Sequence, residues 1–337
     1  MKVKRLFLML SLLVLATALA ACKNDSEVSA AKKDSKVYNL QVGHVVTTDH
    51  SYHLALEKFS EEVYEKSEGR LVVDIFPSAQ LGNERDLVES LAMGTVDMAL
   101  ANSGNLASFT DAYQNFDFPF LFRDREHAHA VLDSEIGEKA LLSLEKVDIK
   151  GLANWENGFF NTWNSKKSIE GPEDFKGMKI RANDNPIHID SYKEIGASAI
   201  TMGWSEVYTA IQNGTIDGVS VSIPSMYTAR IYEVAPYISN SSEFYVTAVF
   251  MMNKDIYERL PKDLQEIISE TAKETTKYQR DLNKEIEDKA LADLASKGFE
   301  ITNPNKDVMK KAVWDNIYNQ YAPQLDEEII DSIQNDF

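Results

Sequence analysis

Arg181 closes a short alternating run, Lys176-Gly177-Met178-Lys179-Ile180-Arg181, just before Asn183-Asp184-Asn185-Pro186. The alternation of Met178 and Ile180 with polar neighbours predicts a half-buried strand. The Asn-Asp-Asn-Pro run predicts the loop or helix start that ends it. A guanidinium at the carboxyl end of a strand has two readings. It is a solvated strand end, or it is a planar fork of donors set to take a carboxylate through two charge-assisted hydrogen bonds. Catalytic chemistry is harder to find. Gly203-Trp204-Ser205-Glu206 lacks the final glycine of a nucleophile elbow, and neither a glycine-rich phosphate loop nor a free thiol nucleophile is present. His50 with His53, and His127 with His129, match no recognised zinc spacing. They are read as ordinary surface or helix histidines, with no metal and no cofactor expected. Among 53 acidic residues a carboxylate pair can always be nominated, so the nomination carries no information.

The positioning elements begin after a processing segment. Lys2, Lys4 and Arg5 precede an uncharged apolar stretch, 6–21, that is short for a membrane span and suits a secretory signal. Leu19-Ala20-Ala21-Cys22 resembles the bacterial lipobox, in which the cysteine is lipidated and becomes the new N-terminus. Cys22 is the only cysteine, which excludes an intrachain disulfide. Residues 22–36 are polar and read as a flexible tether. The expectation is a globular body outside the cytoplasmic membrane on a lipid anchor at Cys22.

Roughly 300 residues remain, enough for two domains. Removing residues 1–21 takes away three positive charges and moves the formal net charge from −18 to −21. So acidic a chain argues against nucleic acid, whose binding rests on basic patches. An anionic ligand would have to be captured by local donors, the long-range repulsion being screened beyond about 10 Å in salt.

From Val37 strands alternate with helices: strands at 37–44, 71–77 and 96–102, helices from Leu54 to Gly69 and from Glu84 to Gly94. The rhythm repeats with strands at 178–182, 198–202 and 216–222 and helices at 187–196 and 205–214. This is the βαβ pattern of a mostly parallel sheet, occurring twice. Residues 261–298 open on proline, close on glycine and contain neither between. Leu264, Ile268, Ala272, Thr275, Tyr278, Leu282, Ile286, Ala290 and Leu294 form their stripe. Some 36 helical residues extend roughly 54 Å, longer than the roughly 35–40 Å of a domain of about 150 residues. The segment therefore lies across both domains, or it breaks into two helices at an unmarked kink.

Four stretches together carry a specific likeness: FPSAQLGNERDLVESLAMGTVDMAL (76–100), FKGMKIR (175–181), IGASAITMGWSEVYTAIQNGTIDG (195–218) and IYEVAPYI (231–238). In these the chain resembles the substrate-binding proteins of tripartite ATP-independent periplasmic (TRAP) transporters, from about Val37 to the C-terminal region. The resemblance implies a two-domain, periplasmic-binding-protein-like α/β fold with a ligand cleft between the domains, hinge strands and a long bridging helix. The division expected is 37–157 with about 247–286, and 158–246 with about 287–337. It further implies an organic-acid ligand delivered to a membrane permease. The same cleft serving a membrane signalling partner is the alternative, and an enzyme is not expected.

The resemblance also selects among the readings of Arg181, because the family's ligand carboxylate is bridged by the arginine at this place. Trp204 falls where the family sets an aromatic ring on the ligand, the alternative being a tryptophan packed on its own domain. Glu84, Asn102, Asn105 and His44 match polar contacts at strand ends, with capping or loop roles as the alternative. Two departures bear on the ligand. Phe160 ends Asn157-Gly158-Phe159-Phe160 where many relatives have a second arginine, and Val221-Ser222 stand where many have Asn-Pro. One carboxylate anchor is then expected, with Trp204 and Phe160 flanking the remainder of the ligand and Ser220 available for its hydroxyls. A sugar acid such as a uronate fits better than a four-carbon dicarboxylate or a keto acid. The remaining candidates for a second cation are His44, His50 and Arg123.

Overall fold

The computed structural model describes residues 36–111 and 113–337. The signal segment and Cys22 lie outside them. In the first half, β1 (Tyr38–Gly43), α1 (Ser51–Lys66), β2 (Leu71–Phe76), α2 (Glu84–Ala92) and β3 (Met98–Asn102) follow the expected βαβ order. Two short helices, α3 (Arg125–Leu132) and α4 (Glu135–Ser143), lead into β4 (Ile149–Asn164). The second half holds β5 (Lys179–Ala182), α5 (Pro186–Glu194), β6 (Ser198–Thr201), α6 (Val207–Gln212), β7 (Gly218–Ser222) and α7 (Ile223–Thr228). The chain then returns through β8 (Tyr237–Asn253), α8 (Lys254–Arg259), the long α9 (Lys262–Ser296) and β9 (Ile301–Thr302), and ends in α10 (Lys306–Tyr321) and α11 (Glu327–Asn335).

One sheet joins the two halves in the order β2-β1-β3-β8-β4-β7-β5-β6, with β9 paired to β8. Pairing is parallel within β2-β1-β3 and within β7-β5-β6, as βαβ units require. The antiparallel pair β4–β8 crosses from one half to the other. Residues 248–252 of β8 pair with β3, whereas residues 160–164 of β4 pair with β7. The β4–β8 register slips at 151/153, 156/158 and 160/162. At the middle slip Gly158 has a φ of 109°, a conformation that favours glycine.

Sequence periodicity missed β4 and β8 because both are buried along nearly their whole length, which abolishes the alternation that marks a strand.

α9 is one continuous helix of 35 residues, about 52 Å long at 1.5 Å per residue. It spans both cores. Leu264, Ile268 and Ala272 sit with Leu56, Phe59, Trp155 and Phe250, whereas Ala290 and Leu294 sit with Trp163, Val219 and Met226. Its centre differs from the apolar stripe read from the sequence. Tyr278 is exposed, and Gln279, Arg280 and Asn283 are buried instead. Gln279 exchanges two hydrogen bonds of 2.8 Å with the backbone of Glu156. Asn283 Nδ2 donates to the Asn157 carbonyl at 3.1 Å, and Arg280 Nη2 to the Asn154 carbonyl at 2.9 Å. A slipped strand exposes backbone polar groups, and this polar face satisfies them.

A third core gathers Phe160, Phe175, Ile180, Tyr192 and Phe244. Val313 and Ile317 of α10 and Ile330 and Ile333 of α11 share the first-half core, although the division read from the sequence assigns them to the second domain.

Candidate functional site

β5 ends as its residues dictate: Asn185 caps α5 by accepting from the Ile187 and His188 amides, and Pro186 occupies the first turn. Arg181 therefore projects at the sheet's carboxyl edge. It is 5% exposed. Its Nε and Nη2 donate to the Met202 carbonyl at 3.3 and 3.1 Å, and its Nη1 to Asn183 Oδ1 at 2.9 Å. These bonds leave two of the five guanidinium hydrogens for another acceptor, and no carboxylate of the described residues forms an ion pair with Arg181. Burial pulls its pKa down and Glu84 pulls it back, yet a guanidinium starts so far above neutrality that it stays charged. Trp204 lies against it, with the guanidinium carbon 5.9 Å from the ring centroid.

A cavity of about 320 Å³ opens beside Arg181, walled by Glu84, Asn105, Met202 and Trp204, with Arg85 and Asp184 at its edge. A smaller, more enclosed space shares Arg181, Glu84 and Trp204 and adds Tyr52, Asn102, Asn157, Phe160 and Ser225. A larger groove of about 630 Å³ lies elsewhere, along α9 and α3, and is lined by mutually paired charges such as Arg280–Asp133 and Lys277–Asp281. Size does not make it the better site, because its cations are already matched.

Glu84 accepts from the Asn102 amide at 3.0 Å, from Asn102 Nδ2 at 3.3 Å and from Asn105 Nδ2. Burial drives its pKa up to about 7, against the opposing pull of Asn102 and Arg181. Asn102 Oδ1 in turn accepts from Tyr52 at 3.1 Å and from Asn157 Nδ2 at 2.6 Å, and Asn157 Oδ1 accepts from Ser222 and Ser225. This chain crosses from α2 and β3, through the centre of β4, to β7 and α7.

Of the residues singled out in the sequence, Arg181, Trp204, Glu84 and Asn105 meet at the larger cavity, and Asn102 and Phe160 line the smaller one. Ser220 and His44 line neither. Ser220 faces Glu243, a buried carboxylate surrounded by Thr162, Ser241 and Tyr192 hydroxyls, so its own hydroxyl is engaged. His44 is fully buried with its Nε2 3.0 Å from His53 Nδ1, and burial together with His53 lowers its pKa to about 3. His50 is also buried, bonded to Ser225 at 3.1 Å, with its pKa lowered to about 3 by burial. Neither histidine supplies a second cation near neutrality. His53, His127 and His129 lie on helices as read, but of the four histidines singled out in pairs only His129 is partly exposed and the others are buried. Arg123 bonds the terminal Phe337 carbonyl. The cation at the cavity edge is Arg85, which was not among the candidates. Tyr52, Asn157 and Ser225 were also missed; nothing in their local sequence marks them.

The pKa of Glu84 has a consequence for pH. An anion bound beside Arg181 would raise it further, so binding would take up a proton and affinity would increase as pH falls towards about 7, levelling off below it. A carboxylate that binds here should bind more tightly at pH 6 than at pH 8, by at most about tenfold per pH unit. Calorimetry in two buffers of different ionisation enthalpy detects the proton, and a pH-independent affinity with no uptake refutes this.

Two α/β halves joined by two long shared strands and a bridging helix, with a charged cleft at the strand ends, have the build of a solute-binding protein. Residues 42–324 match the profile described as bacterial extracellular solute-binding protein, family 7. The chain belongs to this family, the solute-binding proteins of TRAP transporters, and its relatives are extracytoplasmic binding proteins, not enzymes. It is 34% identical over 291 residues to the 2,3-diketo-L-gulonate-binding periplasmic protein YiaO of Escherichia coli, covering 86% of this chain and 88% of YiaO. Among solved structures, the sugar acid binding protein DctPAm of Advenella mimigardefordensis with galactonate matches with a TM-score of 0.86 at 28% identity, covering 89% of this chain and 97% of that one. A TRAP solute-binding protein of Polaromonas with D-erythronate matches with a TM-score of 0.86 at 31% identity over 88% and 98%. Another, of Sulfurospirillum deleyianum with succinate, matches with a TM-score of 0.84 at 28% identity over 89% and 99%.

Proposed function

We propose that the chain captures a hydroxylated monocarboxylate, a sugar acid such as a uronate, and delivers it to a TRAP-type membrane permease. The observation that carries this is Arg181, buried at a cavity wall with two hydrogens directed at no protein acceptor and an aromatic ring alongside. Glu84, Asn102 and Asn105 are the ligand's hydroxyl partners, and Phe160 and Trp204 pack on its carbon skeleton. Among the described residues a second carboxylate would have only Arg85 to meet at this cavity, and Arg85 is exposed and already paired with Asp184 and Glu89. The galactonate and D-erythronate complexes of relatives support the ligand class, whereas the succinate complex keeps the dicarboxylate alternative testable. The lobes are proposed to pivot near 157/158 and 246/247, next to the middle register slip of β4–β8.

Thermal shift and calorimetry against D-galacturonate, D-glucuronate, galactonate, D-erythronate, lactate, succinate and malate test the reading. A true ligand at 100 times its Kd stabilises by about 2.7 kcal/mol. Tighter binding of succinate or malate than of every monocarboxylate overturns the ligand class. Delivery is tested by uptake of the labelled acid into cells lacking the candidate permease, which should fall to background.

The body is further proposed to be held at the membrane through lipidated Cys22. A Cys22→Ser chain is expected to move from the membrane to the soluble fraction with its fold intact. Retention in the membrane fraction refutes the anchor.

A further inference from the structure

Two asparagines and two glycines face each other reciprocally between the halves, Asn83 and Gly203 at the wall of the open cavity and Asn183 and Gly104 buried behind it. Asn83, before α2 in the first half, lies so close to Gly203 of the second half that a β-carbon at 203 would stand 2.6 Å from Asn83 Nδ2 and 2.7 Å from its Cγ. Asn183 of the second half lies in the same way against Gly104 of the first. A β-carbon at 104 would stand 3.1 Å from Asn183 Nδ2 and 3.3 Å from its Cβ. Neither glycine needs its backbone freedom: Gly203 has a φ of −60°, and Gly104 is not among the positive-φ residues. The missing side chains answer to the opposite half.

Both asparagines are held. The Asn83 backbone N–H donates to Asp86 Oδ2 at 2.9 Å, and its side-chain Oδ1 accepts from Ser205 Oγ of the other half at 3.2 Å. Asn183 Oδ1 accepts from Arg181, which fixes the amide so that Nδ2 points away from Arg181; this Nδ2 is buried without a hydrogen-bond partner. Beside them the Arg85–Asp184 pair, 2.8 Å, also spans the two halves. Each of the four is next, or next but one, to a cavity residue: Asn83 to Glu84, Gly203 to Trp204, Gly104 to Asn105 and Asn183 to Arg181. The depth to which the four pack therefore sets the spacing of Arg181, Glu84 and Trp204.

We propose that Asn83–Gly203 and Gly104–Asn183 form a closure latch that fixes how far the lobes shut over the ligand, with Arg85–Asp184 holding it shut. The inference rests on the proposed function only for its choice of probes. A ligand too large for the latched cavity binds poorly because the four residues cannot seat, so the latch is also a size gate.

Gly203→Ala is the wedge. The expected result is at least tenfold weaker binding of whichever of D-galacturonate, galactonate, D-erythronate or succinate binds wild type most tightly. The melting temperature without acid should be unchanged, and the radius of gyration by small-angle scattering should be larger in the presence of acid. Adding Asn83→Gly, a mild replacement at a helix N-cap, should recover most of the affinity, which it would not do if Gly203→Ala merely damaged its own lobe. Arg85→Asp alone should weaken binding about threefold or less, as for an exposed pair, and combination with Asp184→Arg should restore it. Binding by Gly203→Ala within twofold of wild type, or no recovery in the double variant, overturns the latch and leaves the ligand class standing. If wild type binds none of the four acids, the ligand class falls. The latch is then decided with whichever of lactate, malate and D-glucuronate most raises the melting temperature of wild type: at least tenfold weaker binding by Gly203→Ala supports it, and binding within twofold of wild type overturns it.

Discussion

Arg181→Ala is expected to abolish most ligand binding while leaving the fold in place. Truncating one partner of a buried charge pair costs about 2–5 kcal/mol of binding, roughly 30-fold to several thousandfold in Kd. Stability should change little, because the substitution removes a buried cation that no carboxylate of the described residues pairs, and the two acceptors it leaves, Met202 O and Asn183 Oδ1, are single hydrogen-bonding groups. Arg181→Lys should also bind poorly. An ammonium keeps the charge but cannot reproduce the fork that bonds Met202 and Asn183 while meeting a carboxylate. Calorimetry that finds either variant within threefold of wild type removes Arg181 from the site.

The second large effect concerns stability. Glu156 is fully buried at the middle slip of β4. Its carboxylate accepts from Arg125 Nε at 2.9 Å, Asn283 Nδ2 at 3.0 Å, Tyr245 OH at 3.2 Å and His129 Nε2. Burial alone would raise its pKa, but His129 and Arg125 outweigh burial and hold it below the ordinary value. Glu156→Ala leaves Arg125 with Glu287 alone and Asn283 Nδ2 with the Asn157 carbonyl alone. Removing one member of a buried ionic cluster costs about 3–5 kcal/mol, and urea denaturation should show a loss of that size. A loss below about 1 kcal/mol would mean that the bulge holds without its charge. The sign with pH follows from the lowered pKa. The contribution of Glu156 is complete at neutral pH and is lost as pH falls below the ordinary carboxylate range.

What the sequence determined is local. Period-two and period-3.6 patterns, with Asn185-Pro186 and Gly94 as punctuation, locate β1 to β3, β5 to β7 and the helices between them, because one buried face imprints a repeat on the chain. The length of α9 follows from the lack of proline and glycine within it. Strand-end positions such as Arg181, and Glu84 at the start of α2, are legible because a parallel sheet opens at its carboxyl edge. Tertiary structure alone decided the rest. β4 and β8 carry no repeat since both their faces are covered, and the polar centre of α9 makes sense only against the slipped strand beneath it. His44 follows a strand end as Arg181 and Asn102 close theirs, and Ser220 lies mid-strand in β7, yet they turn to His53 and Glu243, because the partner of a buried polar group is chosen by whatever packing brings near. Tyr52, Asn157 and Ser225 reach the smaller space from three distant segments, and no local pattern encodes a meeting across 173 residues of chain.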